Sequence, residues 1–67
     1  MWNYEGLIVS GKYLNEFPVA GRVIQSRVSY GGTVKHTIKL DKPLEVYSAI
    51  RDHVILEMSE VERVYSN

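Results

Sequence analysis

Two histidines and one serine are the side chains best suited to acid–base or nucleophilic chemistry. Ser26 and His36 become cross-strand neighbours if the strands that carry them pair as argued below. A serine–histidine contact can activate a nucleophile when a third group orients the base. No third group is evident in the sequence, so a hydrogen-bonded polar pair is the simpler interpretation. We therefore assign no catalytic residue, and we expect that the chain is not an enzyme.

Metal coordination is the other chemistry that histidines support. His53 follows Asp52, and His36 precedes Asp41, but neither pair belongs to a recognised spacing of three or four converging ligands. The chain has no cysteine, so no thiolate is available to hold zinc or to attack a substrate. The sequence predicts neither a metal site nor a cofactor.

Basic side chains concentrate between residues 22 and 42. Arg27, Lys35 and Lys39 should share the outer face of a hairpin, where they could bind phosphates, an acidic protein surface or the acidic end of another copy. A solvated outer face, whose lysines discourage edge pairing, explains the same pattern. We take these three cations, together with Tyr30, as the candidate binding residues. The C-terminal part carries the acids Asp52, Glu57, Glu60 and Glu62.

Aromatic side chains supply a second set of candidate contacts. The chain has five tyrosines, and tyrosine, which joins a large apolar body to a polar tip, is enriched at interfaces. Tyr30, at the predicted hairpin tip, is a candidate contact with a partner. Trp2 and Tyr4 are candidate oligomer contacts, and Trp2 could serve as an anchor. Packing as part of the core or as a lid is the alternative for Tyr4, Tyr13 and Phe17.

The element that must position these side chains is a hairpin over residues 21–47, in which two alternating runs meet at Gly31-Gly32. A two-residue turn would set Val28 opposite Lys35, which places charge against the core. An odd loop sets Val28 opposite Val34 instead. Burial should select the odd loop, because a shift of one residue exchanges the two faces of a strand.

The same register places Ile24 opposite Ile38 and Ser26 opposite His36. It predicts a loop of Tyr30-Gly31-Gly32, with a glycine at positive φ and a bulge. Val23 lies out of phase with this pattern, which indicates a second bulge or a bend near Ile24-Gln25.

The rest of the chain reads as short strands and turns. The first two predicted strands are residues 6–13 and 17–28. The third is interrupted at residues 41–43 and continues to residue 46. The fourth and fifth are residues 53–58 and 63–65. Residues 48–52 should form a connecting turn, and the S-x-x-E pattern at Ser59–Glu62 predicts one helical turn. The predicted fold is all-β: a five-stranded, partly open barrel with a long bent hairpin and one short helical turn before the last strand.

Length and charge limit what such a barrel can be. The chain has 67 residues, which predicts one small domain over residues 1–67. A domain of this size buries only about 60% of its unfolded surface, so we expect a homo-oligomer. The formal net charge is +0, and no apolar run approaches the roughly 20 residues that span a bilayer. Without the features of a signal peptide, the expected location is the cytoplasm of a cell or of an infected host.

At this point the chain resembles the SH3-like barrels, in the broad sense that includes the KOW and Tudor groups. The resemblance is carried by the hairpin at Gly31-Gly32 and by V-I-L-E-M-S-E-V-E-R-V from Val54 to Val64, which is similar to the strand, helical turn and terminal strand that close such barrels. It covers most of the chain, but the A-L-Y-D-Y-like opening of peptide-binding SH3 domains and the aromatic cage of Tudor domains are missing. The resemblance implies a fold often used for binding, and it indicates no ligand. In size and style the chain also resembles small phage-encoded proteins.

Three functions from different classes fit these features. The first is a non-enzymatic small protein that binds a protein partner, as a phage inhibitor or adaptor of a host factor would. The alternative is a homo-oligomer that sequesters a small anionic ligand, such as a nucleotide, between its subunits. The third is a nucleic-acid-binding module that uses the basic hairpin with Tyr30 as a stacking platform. The zero net charge argues against the third, because binding to phosphate backbones depends on positive charge.

Overall fold

A computed structural model of the chain describes residues 3–65. Five antiparallel strands form a single sheet in the order β4-β3-β2-β1-β5. The strands are β1 (Ile8–Tyr13), β2 (Phe17–Val28), β3 (Val34–Val46), β4 (Ala49–Glu57) and β5 (Val61–Tyr65), with a 3₁₀ turn at Met58–Glu60 before β5. The sheet curls so that β1 also contacts β4, but it does not close. The prediction of an all-β, five-stranded, partly open fold with one helical turn before the last strand is confirmed.

The long hairpin has the odd loop that burial was expected to select. Val28 pairs with Val34 and Ser26 pairs with His36. The Ser29 N–H donates to the Thr33 carbonyl at 2.7 Å, which leaves a loop of Tyr30-Gly31-Gly32. Gly31 and Gly32 have φ of 97° and 90°, a region that side-chain-bearing residues rarely adopt. The double glycine is therefore explained by the geometry of the turn.

The bulge predicted near Ile24-Gln25 is present, but its consequence for the register was predicted wrongly. Val23 pairs with Ile38, and the register shifts between Val23 and Gln25. Ile24 is thus the extra residue, and its side chain is 49% exposed, whereas that of Val23 is 1% exposed. The expected pairing of Ile24 with Ile38 is wrong, because the bulge moves Val23 onto the inner face. Val28 is 47% exposed; it forms the last strand pair, with Val34, before the loop of the hairpin.

Alternation along β3 and β4 builds most of the core. On β3 the buried residues are His36, Ile38, Leu40 and Val46. The residues between His36, Ile38 and Leu40 point to the other face because strand side chains alternate. The buried apolar residues of the main core are Val9, Val19, Val23, Ile38, Leu40, Val54 and Leu56. This core lies inside the curl of the sheet, and the cations predicted on the outer face lie on its other side.

The connection between β3 and β4 is shorter than predicted. The expected turn over residues 48–52 is wrong: Val46 pairs with Ala49, and Tyr47 and Ser48 form the turn with φ of 51° and 67°. Positive φ at both central residues is the requirement of a tight hairpin turn, which usually selects Asn or Gly. The β3–β4 register also shifts between Lys39 and Leu44, where the sequence predicted an interruption at 41–43.

The last turn and strand attach to β1. The turn is capped by Glu57 and Glu60, whose side chain and backbone groups bond reciprocally, rather than by the predicted pair Ser59 and Glu62. Strand β5 then pairs with β1 over Ile8 to Gly11. A Cβ at Gly11 would collide with the Glu60 carbonyl, so a glycine is needed where this turn crosses β1.

Candidate functional site

A surface cleft of about 540 Å³ opens where the tip of the β1–β2 hairpin meets β3 and β4. Three cations line it: Arg27 from β2, Lys35 from β3 and Arg51 from β4. No Asp or Glu of the described residues is among its lining residues. We call this the cationic cleft. Its other lining residues are Tyr13, Leu14, Thr37, His53, Val54 and Ile55.

The strand register explains why two of these cations are adjacent. Arg27 is the direct cross-strand partner of Lys35, and residues directly opposite each other project to the same face. Like charges in this position repel each other and destabilise the sheet by up to about 1 kcal/mol. Glu57 is the partner of Lys35 on its other side, but it lines a neighbouring depression rather than the cleft.

The three cations of the cleft are free to bind a ligand. Within residues 3–65, Arg27, Lys35 and Arg51 form no ion pair and no side-chain hydrogen bond. Arg22, by contrast, donates to the Gly6 carbonyl at 2.8 Å. The cleft therefore offers unsatisfied guanidinium and ammonium donors, which suit a carboxylate or a phosphate.

His53 contributes a further polar group at the edge of the cleft. Its Nδ1 donates to Asp52 Oδ1 at 2.8 Å, and both side chains are exposed. This hydrogen bond and the nearby charge of His53 lower the pKa of the Asp52 carboxyl, so the pair is stable as His53 donor and Asp52 carboxylate. Among the described residues no three His, Asp or Glu side chains converge as a metal site would require.

A second polar group lies on the inner face of the same hairpin. His36 is 0% exposed and Ser26 is 7% exposed, and His36 Nδ1 lies 2.7 Å from Ser26 Oγ. The Tyr4 N–H donates to Ser26 Oγ at 3.0 Å, and the Tyr4 ring stacks on His36 with centroids 4.7 Å apart and planes 9° apart. We call Tyr4, Ser26 and His36 the buried histidine cluster.

The cluster lacks what a catalytic serine needs. His36 Nε2 is buried and has no hydrogen-bond partner in the described part of the chain, so no third group orients the ring there. Burial lowers the pKa of His36, which keeps the ring neutral at pH 7. The predicted cross-strand neighbours are therefore a polar pair that is closed to substrate.

The residues predicted from the sequence fall into different places. Arg27 and Lys35 both line the cationic cleft. Lys39 lies on the same face opposite Arg22 and does not line the cleft, and Tyr30 is fully exposed at the hairpin tip. Their roles as contacts stay predictions.

The two predicted oligomer contacts differ in what can be said of them. Tyr4 is half-buried against the core, and Trp2 lies outside the described residues. Arg51 was not predicted as a site residue, because residues 48–52 were expected to form a turn and Arg51 was therefore assigned to neither face of the sheet. Tyr13 and Leu14 were not predicted there either, since they reach the cleft only because the sheet curls.

Comparison of the chain with protein-family models, with curated proteins and with solved structures finds no match in any of the three. The geometry of the cationic cleft and of the buried histidine cluster must therefore carry the functional argument. Within residues 3–65 no helix has the length and apolar character needed to cross a membrane.

Proposed function

We propose that this chain is a non-enzymatic binding protein whose cationic cleft receives an anionic group presented by a protein partner. The observation that carries the proposal is the convergence of Arg27, Lys35 and Arg51 on one cleft that no described Asp or Glu lines. A carboxylate between these donors would form charge-assisted hydrogen bonds. It would also reduce the repulsion between Arg27 and Lys35, which are opposite each other on neighbouring strands.

The apolar residues beside the cations favour a partner segment that joins an acidic side chain to an apolar one. Leu14 is 48% exposed and Ile55 is 50% exposed, and both line the cleft. An apolar side chain packed against them would be stabilised by its burial. The neighbouring acidic side chain would contact the cations. Because Arg27 and Arg51 are exposed and Lys35 is half-buried, salt should reach these cations and weaken their attraction for a partner.

The test is an anisotropy titration with a fluorescein-labelled peptide of alternating Glu and Leu, beside the same peptide with Gln in place of Glu. At low salt we expect the Glu peptide to bind more tightly than the Gln peptide. In the double variant Arg27→Gln, Lys35→Gln its affinity should fall by about tenfold or more, since hydrogen bonds to charged groups contribute about 1.5–3 kcal/mol each.

The matched control is Arg63→Gln, which removes an exposed cation on β5 that lies opposite Ser10 and away from the cleft. This variant should bind the Glu peptide like the wild type. Equal affinity for the Glu and Gln peptides, or equal losses in the cleft and control variants, would refute the proposal.

A small anionic ligand such as a nucleotide is the second candidate, and the size of the cleft favours it. Its volume of about 540 Å³ lies within the roughly 300–1,000 Å³ of small-molecule pockets. The test is thermal unfolding with nucleoside mono-, di- and triphosphates. A rise in Tm that Arg51→Gln abolishes supports this candidate, and a flat response across the panel removes it.

We also propose a homo-oligomer, on the strength of the exposed apolar surface. Tyr47 and Ile50 are both 77% exposed on the β3–β4 hairpin, and exposed apolar patches commonly mark contact sites. Light scattering after gel filtration measures the mass directly. A mass of 7.7 kDa at all concentrations would identify a monomer and remove this part of the proposal.

The resemblance to SH3-like barrels stays a prediction, and it is compatible with a binding role. A nucleic-acid-binding role has less support, because Tyr30 lies at the hairpin tip and does not line the cationic cleft. Tyr13 does line the cleft, but it is half-buried, and a stacking platform for bases needs accessible aromatic rings beside the cations.

A further inference from the structure

The N-terminal residues that precede β1 lie along the edge of β2. The Gly6 N–H donates to the Val23 carbonyl at 2.8 Å, and the Val23 N–H donates to the Leu7 carbonyl at 2.9 Å. Farther along, the Glu5 carboxylate accepts the Ser26 N–H at 2.9 Å. Residues 3–7 thus satisfy backbone groups of β2 that would otherwise form an open sheet edge. We call residues 3–7 the N-terminal latch.

The latch is held to the sheet through the buried histidine cluster. The Tyr4 ring stacks on His36, and the Tyr4 N–H donates to Ser26 Oγ, the same atom that bonds His36 Nδ1. A change in His36 therefore acts on both of these contacts of Tyr4. Tyr4 also packs against the core, and the Arg22 guanidinium donates to the Gly6 carbonyl at 2.8 Å. These two contacts do not involve His36, so the ring controls part of the attachment of the latch.

Protonation of His36 would disturb this arrangement. A charged imidazole has two N–H donors, and in the closed form only Nδ1 has an acceptor, while Nε2 is buried without one. The groups that face the ring are Tyr4 from the latch, Ser26 from β2 and Leu56 from β4. None of them can balance a buried positive charge.

Among the described residues, Glu5 supplies a carboxylate bonded to the cluster, and it offsets the charge weakly. Its Oε2 is occupied by the Ser26 N–H, and the residue is exposed, so water screens its attraction for the ring. Lys35 and Thr37, the neighbours of His36 along β3, belong to the opposite face. A protonated His36 is therefore most stable when the latch opens and water reaches the ring.

We propose that protonation of His36 releases the N-terminal latch and opens the edge of β2 between Val23 and Ser26, while the rest of the sheet stays folded. The opened edge presents the N–H and C=O groups of Val23 and the N–H of Ser26. An extended peptide could then pair with them, as in the addition of a strand to a sheet edge. The device is independent of the cationic cleft, which lies on the other face of the hairpin.

The direction of the pH effect follows from the closed form. Burial lowers the pKa of His36 there, whereas in the open form the ring should titrate near its ordinary value of about 6.5. The open form thus binds more protons, and the latch is weakened as pH falls below about 6.5. Between pH 7 and pH 5 the opening equilibrium should therefore rise, by at most about 25-fold, the limit reached if the closed form takes up no proton.

The test is amide hydrogen exchange followed by NMR on the wild-type protein between pH 7 and pH 5, expressed as protection factors. The amides of Gly6, Val23 and Ser26 should lose protection, by at most about 25-fold, while those of Ile38 and Leu56 keep theirs. The His36 ring protons should titrate with a pKa below the ordinary value of about 6.5, because burial lowers it in the closed form. Equal loss at the core amides would mean that acid unfolds the whole domain, and the proposal would be wrong.

Three variants assign the effect to the cluster. His36→Leu should remove the pH dependence of latch protection, and Tyr4→Ala should leave the latch amides unprotected already at pH 7. The control is His53→Gln, which removes the only other histidine and should leave the pH dependence unchanged. A pH dependence that persists in His36→Leu, or that is lost in His53→Gln, would overturn the proposal. The wild-type ring titration decides the matter if His36→Leu does not fold.

Discussion

Two adjacent cross-strand pairs of one hairpin contribute to the buried histidine cluster and to the cationic cleft, and their polar side chains lie in opposite environments. Ser26 and His36 pair across β2 and β3 and face the core, whereas Arg27 and Lys35 form the next pair and face outward. The inner pair is joined by a hydrogen bond of 2.7 Å. The outer pair has two like charges, and neither forms an ion pair within residues 3–65.

The difference follows from access to water. On the inner face an unbonded polar group costs about 1–3 kcal/mol. Ser26 Oγ accordingly bonds both His36 Nδ1 and the Tyr4 N–H, and within residues 3–65 His36 Nε2 is the buried side-chain atom left without a partner. On the outer face water solvates an unpaired charge, so Arg27 and Lys35 can stay unsatisfied at little cost. Substitutions in the cluster should therefore change stability, and substitutions in the cleft should change binding.

The largest effect expected from this comparison is that of Ser26→Ala. It removes the acceptor of the Tyr4 N–H and the partner of His36 Nδ1, and should lower the free energy of unfolding by about 2–4 kcal/mol. Urea denaturation at pH 7 measures it. Ser29→Ala is the control, because Ser29 Oγ donates to the Thr33 carbonyl at an exposed position. Equal and small effects of the two substitutions would break the comparison.

The bulge gives the next largest difference, between neighbouring residues. Val23→Ala should cost about 2 kcal/mol, because it leaves a cavity in the core, whereas Ile24→Ala should cost less than about 1 kcal/mol, because Ile24 is 49% exposed. Urea midpoints of the two variants give the comparison. The reverse order would mean that Ile24, not Val23, is the core residue opposite Ile38.

Val23 and Ile24 also show which features of the hairpin could be predicted from the sequence and which could not. The alternation of Val34, His36 and Ile38 and the double glycine were enough to predict the loop, the pairing of Ser26 with His36 and the outward face of Arg27 and Lys35. They could not decide which of two adjacent apolar residues the bulge would bury. That choice depends on contacts with β1, which local alternation does not encode.

The cleft was predicted only in part, for a similar reason. Arg27 and Lys35 follow from the register of one hairpin, but Arg51 depends on a turn at Tyr47-Ser48, and these residues lack the usual signature of a tight turn. Tyr13 reaches the cleft through the curl of the whole sheet. Side chains that local pairing positions could be predicted, and those that the closure of the sheet positions could not.

A smaller effect of opposite sign is expected for Arg27→Gln. Removing one member of the like-charge pair should raise the free energy of unfolding by about 0.2–1 kcal/mol. The same substitution should lower the affinity for the Glu peptide. Urea denaturation and peptide anisotropy on the same preparation measure both. Loss of stability in this variant would show that Arg27 supports the fold instead of being held available for a partner.

The smallest effect is expected for Asp52→Asn. Hydrogen bonding from His53 lowers the pKa of Asp52, so any stability from this pair is present above the carboxyl's ordinary range and is lost as pH falls through its lowered pKa. Because the carboxylate is largely exposed, we expect no measurable change in the urea midpoint at pH 7. A clear shift there would mean that the outer face contributes to stability as the inner face does.

The most direct measurement is the affinity of the folded Arg27→Gln, Lys35→Gln protein for the Glu-containing peptide, with its unfolding free energy determined in parallel. We expect the affinity to fall by about tenfold or more, with stability unchanged or slightly raised. Wild-type affinity in this variant, or a loss of affinity that merely follows a loss of stability, would contradict the assignment of binding to the cationic cleft.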